Sequence, residues 1–311
     1  MKYLLLFFLI SAVLFTASCA TDKPVATVKE SARGYEKLAM EHYNSGDYQN
    51  AVLFFKQALE EDQKISNLPG ISSDLYNIAR CYFNFGNYSN SEKILKEALE
   101  INTHINNKSG IGDNYTLLAS IKSRNNDYDE ALELLDKSLE MYRADKNKKG
   151  TANAFNNIGT IYIKLGKYDE AREKIETAIP IQKKIDNHSG LAAAYNNLGY
   201  LYEQLNGGED AVKYYLLALE EDKYIENSMG ISSDLNNIAG FYKKSGDFEL
   251  ALFYYKRALE VNRGLKRIDR EKKDLNNIID VLGSMGRDGE RDYYERALAE
   301  LKNADVKVAE F

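Results

Sequence analysis

Glycine or asparagine recurs every 40 residues along most of this chain of 311 residues. The positions are Gly46, Gly86, Asn126, Gly166, Asn206, Gly246 and Gly286. A second series with the same step consists of Gly70, Gly110, Gly150, Gly190 and Gly230. We expect each period to hold two segments that both end at a turn residue. Fixed periods of this length are typical of stacked arrays, in which each unit buries its apolar face against its neighbours. The chain is therefore predicted to form one elongated domain.

Each period is predicted to contain two amphipathic helices. In the fourth unit the first apolar stripe is Phe155, Ile158, Tyr162 and Leu165, and the second is Tyr168, Ala171, Ile175, Ala178 and Ile179. Residues three and four positions apart lie on one face of an α-helix. Gly166 is expected to end the first helix, because glycine readily adopts the left-handed backbone found after a helix C-terminus. The predicted fold class is all-α.

Polar residues follow the first series of turns, where they can cap the second helices. They are Asp47, Asn87, Asp127 and Asp247. A side-chain oxygen at this position accepts a hydrogen bond from an unpaired N–H group of the first helical turn. Asp127 is followed three residues later by Glu130, so this pair also fits a capping box.

The repeated unit resembles the tetratricopeptide repeat. The family pattern of an aromatic residue, Leu-Gly, Tyr, Ala, a further large residue and Ala is met by Phe155, Ile158, Gly159, Tyr162, Ala171, Ile175 and Ala178. The period is 40 residues, longer than the usual length of about 34, and the terminal proline is largely absent. Residues 196–202, with the pattern Asn-Asn-Leu-Gly-x-x-Tyr, are most similar to the extended repeats of kinesin light chains and related bacterial arrays. The resemblance implies a right-handed superhelical α-solenoid of about seven helix pairs.

These patterns predict a signal peptide over residues 1–18, a tether over 19–30, the solenoid over 31–301 and a tail over 302–311. The repeat units are expected near 31–69, 70–109, 110–149, 150–189, 190–229, 230–269 and 270–301. The last unit departs from the pattern, as is expected of a terminal unit with one face in solvent.

The N-terminus has the features of an export signal. Lys2 precedes an apolar stretch over residues 4–15, which is too short to span a bilayer, and small residues then lead to Cys19. This arrangement resembles a bacterial lipoprotein signal, which implies acylation of Cys19 and a lipid anchor to a membrane. Thr16 stands where such signals usually have leucine. An ordinary secretory signal, cut after Ser18 or Ala20 to release a soluble protein, therefore stays open.

Composition disfavours several classes of function. The chain has 47 acidic and 41 basic residues and no basic run, so nucleic acid is not expected as a partner. Its three histidines have no second histidine or cysteine at metal-ligand spacing, and no phosphate loop or nucleophile motif is present. We therefore expect no enzyme activity, no cofactor and no metal.

Cys81 is interpreted as a core residue. Acidic runs on the second helices, at Glu60, Glu61 and Asp62 and at Glu220, Glu221 and Asp222, are interpreted as a solvated outer face.

Asparagine recurs inside the first helices, although it is an indifferent helix former. One column holds Asn77, Asn157, Asn197, Asn237 and Asn277, and the column before it holds Asn156, Asn196, Asn236 and Asn276. The resemblance to tetratricopeptide arrays implies that the first helices line a concave wall. It also implies that asparagines on this wall hydrogen-bond the backbone of an extended peptide. An amide carries both donors and an acceptor. Arg80 and Lys164 are expected on the same wall. The alternative is that these amides only bond neighbouring helices.

Together these features favour a noncatalytic interaction scaffold in the bacterial cell envelope, which binds an extended peptide or a partner protein in its concave groove. One alternative is a receptor array that senses a peptide or ligand and signals through a separate output protein. Another is a docking arm for a catalyst on a different chain.

Overall fold

The computed structural model describes residues 24–309, and this part of the chain consists of fourteen α-helices. Their bounds are α1 Val25–Ser45, α2 Tyr48–Lys64, α3 Leu68–Asn84, α4 Tyr88–His104, α5 Lys108–Arg124, α6 Tyr128–Ala144, α7 Lys148–Lys164, α8 Tyr168–Lys184, α9 His188–Gln204, α10 Gly208–Tyr224, α11 Ser228–Ser245, α12 Phe248–Gly264, α13 Ile268–Ser284 and α14 Asp288–Ala309. Each odd-numbered helix packs on the even-numbered helix that follows it, and successive pairs stack. The prediction of an all-α solenoid of about seven helix pairs is confirmed. None of these helices is both long and apolar enough to cross a lipid bilayer.

The ends of the array differ from the sequence prediction. Helix α1 begins at Val25, inside the segment assigned to a tether, because the chain after Pro24 continues directly into the first apolar stripe. Val28 on this added turn is buried, as is Ala32 one turn further on. At the other end α14 extends to Ala309, through most of the segment assigned to a tail.

The first series of turn residues has the predicted left-handed backbone. The φ angle is 82° at Gly46, 66° at Asn126 and 57° at Asn206, and it is positive at the other four members as well. Three of the predicted caps form: Asp47, Asn87 and Asp247 each accept a hydrogen bond from the backbone N–H three residues on. The prediction of a capping box was wrong. Asp127 makes no such bond, and Glu130 pairs instead with Lys122 at 3.2 Å.

The second series of glycines does not form turns, contrary to the sequence prediction. The left-handed residues between units lie four positions earlier, at Ser66, Asn106, Lys146, Asp186, Glu226 and Lys266. Gly70, Gly110, Gly150, Gly190 and Gly230 lie in the first turn of a helix. At each of them an added Cβ would fall on a side chain of the preceding second helix, for example 2.4 Å from the Tyr142 ring at Gly150. These glycines therefore allow two units to approach closely.

The predicted apolar stripes form the core. Ile158 is buried, with Phe155, Tyr162 and Leu165 packed around it, and the second stripe of the unit is buried around Ala171 and Ile175. Cys81 is fully buried, as predicted, and burial raises the pKa of its thiol to about 11.

The first helices of successive pairs lie on the inner side of a curved array. Helix α3 contacts α5, α5 contacts α7, α7 contacts α9, and α9 contacts α11, in addition to the contacts with the intervening second helices. Helices on the side of smaller radius come closest to one another. The curvature brings the two ends together: a Cβ on Gly46 would lie 3.0 Å from Nε of Arg267. Between them is a cavity of about 920 Å³ that is also lined by Arg124 and Arg270.

Candidate functional site

The inner wall is the stripe of first-helix side chains that contains the predicted binding residues. All seven of those residues lie on first helices: Asn77 and Arg80 on α3, Asn157 and Lys164 on α7, Asn197 on α9, Asn237 on α11 and Asn277 on α13. Lys164 is exposed and the other six are half-buried. Cys19, the predicted lipidation site, lies outside the described residues.

Three of the predicted asparagines bond the adjacent repeat, forming what we call the asparagine ladder. Asn197 Nδ2 donates to Asn156 Oδ1 at 3.0 Å, and Asn237 Nδ2 donates to Asn196 Oδ1 at 2.9 Å. Asn277 Nδ2 lies 3.5 Å from Asn236 Oδ1. Each bond joins residues 41 positions apart, so the two asparagine columns hold neighbouring units in register. The recurrence of asparagine inside these helices thus has a structural reason.

Asn157 differs from the rest of its column. The position that corresponds to its ladder partner holds Thr116, whose Oγ1 already bonds the carbonyl of Gly112 at 2.9 Å and Ser138 Oγ at 2.7 Å. Within residues 24–309, the side-chain amide of Asn157 makes no hydrogen bond. A half-buried amide without a protein partner on the inner wall is available to a ligand.

The inner wall carries three cations that have no carboxylate partner within the described residues: Arg80, Arg124 and Lys164. Arg80 donates to Asn77 Oδ1 at 3.1 Å and stacks on Tyr43, with its guanidinium carbon 4.5 Å from the ring centre. Lys164 Nζ donates to Ser123 Oγ at 2.8 Å, and partial burial of this end of the side chain, with a smaller effect of Arg124, lowers the pKa of its ammonium group. By contrast, Lys243 and Lys244 are paired with Asp280 and Glu203. Positive charge on the wall therefore lacks a close ion pair at α3, α5 and α7, although the charge of Arg80 acts on the Asp113 carboxylate at longer range.

A layer of buried carboxylates lies behind the wall, which the sequence analysis missed. Asp62 and Asp222, assigned to a solvated outer face, are only 2% and 4% exposed, because the third residue of each acidic run turns toward the next first helix. Asp74, Asp234 and Asp274 on those first helices are also buried. The three recur at one position of the 40-residue period, and this periodicity of acidic residues was the available signal.

The donors around these carboxylates differ from junction to junction. Asp274 accepts from Asn236 at 2.9 Å and from Asn262 at 2.6 Å, so both of its oxygens are bonded. Asp234 accepts from Asn196 at 2.6 Å, and its second oxygen has no hydrogen-bond partner among the described residues. Burial and the neighbouring Asp222 raise the pKa of Asp234 to about 8.

Comparisons with known proteins agree with this architecture. Two family models described as tetratricopeptide repeat match the chain, one over residues 71–144 and 150–223 and the other over 32–65 and 235–264. Among curated proteins none matches in sequence. A Rap protein complexed with competence and sporulation factor is similar in structure, with a TM-score of 0.66, 18% identity, and coverage of 89% of this chain and 76% of that one.

Two further solved structures share the fold. BtubC (BKLC) from P. vanneervenii has a TM-score of 0.55 and 20% identity, and the match covers 70% of this chain and 92% of BtubC. Aspartyl phosphate phosphatase F from Bacillus subtilis has a TM-score of 0.62 and 13% identity, and the match covers 89% of this chain and 72% of the phosphatase. Family models that together match more than half of the chain, on a solenoid of stacked helix pairs, establish that this chain belongs to the tetratricopeptide repeat family.

Proposed function

We propose that this protein is a noncatalytic scaffold that binds an extended segment of a partner protein along the inner wall. The observation that carries the proposal is the half-buried amide of Asn157, which has no hydrogen-bond partner in the described part of the chain, although its neighbours in the asparagine ladder are bonded. The amide of Asn157 can donate to and accept from a peptide group whatever the side chains of that peptide.

The cationic side chains on either side of Asn157 indicate the charge of the peptide segment that would bind. Arg80 and Arg124 precede it along the wall and Lys164 lies two helical turns after it on α7. All three lack a carboxylate partner in the part of the chain described above. An extended peptide advances about 3.3 Å per residue, and packed helices lie about 8–10 Å apart, so one repeat faces about three peptide residues. The proposed ligand is therefore an extended segment with acidic side chains about three residues apart.

Two comparisons are consistent with this proposal at the level of the fold. The Rap protein, solved with competence and sporulation factor, has a similar solenoid. BtubC supports the further proposal that the repeats are of the extended kinesin light chain type. Neither likeness identifies the partner, because both sequences are no more than 20% identical to this chain.

Site-specific photocrosslinking in cells tests the binding surface. Tyr200 lies on the inner wall and is 45% exposed, whereas Phe253 lies on the second helix α12 and is 52% exposed. Each is replaced in turn by p-benzoylphenylalanine, which keeps the phenyl ring and adds a benzoyl group that these exposed positions can accommodate. We expect a partner adduct from Tyr200→p-benzoylphenylalanine and none of the same mass from the Phe253 variant. Equal adducts from both positions would contradict a binding site on the wall.

A matched pair of substitutions separates the contribution of Asn157 to partner binding from its contribution to stability. Both are made in the protein that carries p-benzoylphenylalanine at position 200. Asn157→Ala removes no internal hydrogen bond and is expected to reduce the adduct about fivefold to tenfold at unchanged melting temperature. Asn197→Ala removes bonds to Asn156 and Thr160 and is expected to lower the melting temperature. An Asn157→Ala protein that gives a full yield of adduct would overturn the assigned role.

We further propose that the scaffold is exported and anchored to a membrane through acylated Cys19, with release as a soluble secreted protein as the alternative. The basis is the sequence alone: the apolar stretch over residues 4–15 and the small residues before Cys19. Cys19→Ala is expected to move the protein from the membrane fraction to the soluble fraction, because the acyl chains supply the membrane affinity. Cys81→Ala serves as the control, since this thiol is buried. Unchanged membrane association of the Cys19→Ala protein would rule out the lipid anchor.

A further inference from the structure

Three carboxylates meet between the first and second helix pairs. Glu36 on α1, Asp62 on α2 and Asp74 on α3 can place one oxygen each within 4.8 Å of one another. Asp62 is 2% exposed and Asp74 is fully buried. Among the residues that the structure describes, neither oxygen of Asp74 has a hydrogen-bond partner, which is rare for a buried carboxyl group. Glu36 occupies the first-unit position of the column that supplies the ladder acceptors Asn196 and Asn236, whereas Asp62 and Asp74 belong to the buried layer behind the wall.

The corresponding junctions between later helix pairs contain amide donors that this first junction lacks. The positions of Glu36, Asp62 and Asp74 correspond to Asn196, Asp222 and Asp234 in one later junction and to Asn236, Asn262 and Asp274 in the next. At those junctions the third residue of the set accepts one and two amide hydrogen bonds respectively. At the first junction no member of the set is an amide, and within residues 24–309 the only side-chain donor is Asn67, which bonds Asp62 at 3.0 Å. The buried oxygens of Asp74 therefore lack the amide donors that the described chain supplies at the later junctions.

We propose that Glu36, Asp62 and Asp74 bind a divalent cation of the hard, oxygen-preferring class, with Ca²⁺ as the best-fitting member. Three carboxylates supply up to six oxygens, and a donor set made only of oxygen selects such ions over zinc or copper. Glu36 is half-buried, so the site has access to solvent for entry and for water ligands. None of the three carboxylates forms an ion pair with a lysine or arginine in the described residues.

The surrounding structure is consistent with a shaped site. Gly70 leaves room for the Asp62 carboxylate, because a Cβ at that position would lie 1.6 Å from Asp62 Oδ2. Asp74 is fully buried beside two other carboxylates, so a cation among the three would satisfy oxygens that no donor of the described residues reaches. A bound cation would join α1 and α2 to α3 and so fix the first repeat to the array. The inference does not depend on the proposed peptide site.

Calorimetric titration and thermal unfolding test the site. The protein is purified from cells without any engineered change at its N-terminus, and bound metal ions are removed with a chelator. It is then titrated at pH 7.5 with CaCl₂ and, separately, with MgCl₂. We expect one ion to bind per chain and the melting temperature to rise by about 4 °C at about 100 times the dissociation constant. If neither ion gives binding heat or a rise in melting temperature, the proposal is wrong.

Variants assign the binding to these residues. Asp74→Asn is expected to weaken binding at least tenfold and to fold normally, since Asn114 occupies the same position in the next unit. Glu36→Asn is the second such variant, because the corresponding position of a later unit holds Asn196. Asp234→Asn makes the same change at the later junction and should bind the ion like the unmodified chain. Binding retained in both Asp74→Asn and Glu36→Asn would overturn the assignment.

Discussion

Gly150→Ala is expected to lower the free energy of unfolding by about 2 kcal/mol, even though alanine favours helices over glycine. The added methyl group would lie between 2.4 and 2.6 Å from three carbons of the Tyr142 ring. The ring has little freedom to move. It is 2% exposed, its hydroxyl donates to Asp113 Oδ1 at 2.6 Å, and the opposite glycine, Gly112, approaches it closely as well. Urea unfolding followed by circular dichroism measures the loss.

Gly34→Ala provides the matched control. Gly34 is an exposed residue in the middle of α1, and an added Cβ would meet nothing within 4 Å. The same substitution is therefore expected to raise the free energy of unfolding by up to about 1 kcal/mol, through helix propensity alone. If both variants gain stability, the contact between Gly150 and Tyr142 is looser than the structure indicates.

These glycines also show why part of the fold was predictable and part was not. A periodic glycine can mark either a left-handed backbone or a position where a side chain would collide. At Gly46 and Gly166 the first interpretation was correct, because each ends an apolar helical stripe. At Gly70 the second applies, since the colliding atom belongs to Asp62 on another helix. That contact depends on how two units stack, which a single sequence does not encode locally.

The candidate site was predictable in part for a similar reason. The asparagine columns are visible in the sequence because the period is regular. Their partners are set by the stagger between adjacent first helices, so the sequence left open whether Asn197 faces a ligand or Asn156. The structure also distinguishes Asn157, whose counterpart across the junction is Thr116. The buried carboxylates were missed because Asp62 and Asp222 follow glutamates that are exposed or half-buried, and the acidic run was treated as a single surface.

Stability is expected to fall as pH rises from 5 to 8, through Asp234. The pKa of Asp234 is about 8 in the folded chain, because burial and Asp222 disfavour its charge despite the bond from Asn196, and it is about 3.9 in an unfolded chain. The folded state therefore binds more protons over this range. Its extra stability is fully present below about pH 4 and lost by about pH 8, with a slope of at most about 1.4 kcal/mol per pH unit.

Asp234→Asn should remove this contribution to the slope. The new amide can accept from Asn196 and offers an N–H donor to the neighbouring Asp222, without a carboxyl group that must lose its proton as the pH rises. Urea unfolding at several pH values, with a chelator present, should give a flatter profile for the variant and a higher free energy of unfolding than the unmodified chain above pH 8. Asp129→Asn changes an exposed carboxylate on α6 and should leave the profile as it was. A loss of stability at every pH in Asp234→Asn would contradict this prediction. It would show that Asp234 is charged in the folded protein and has enough donors, because removing such a buried charge destabilises the fold.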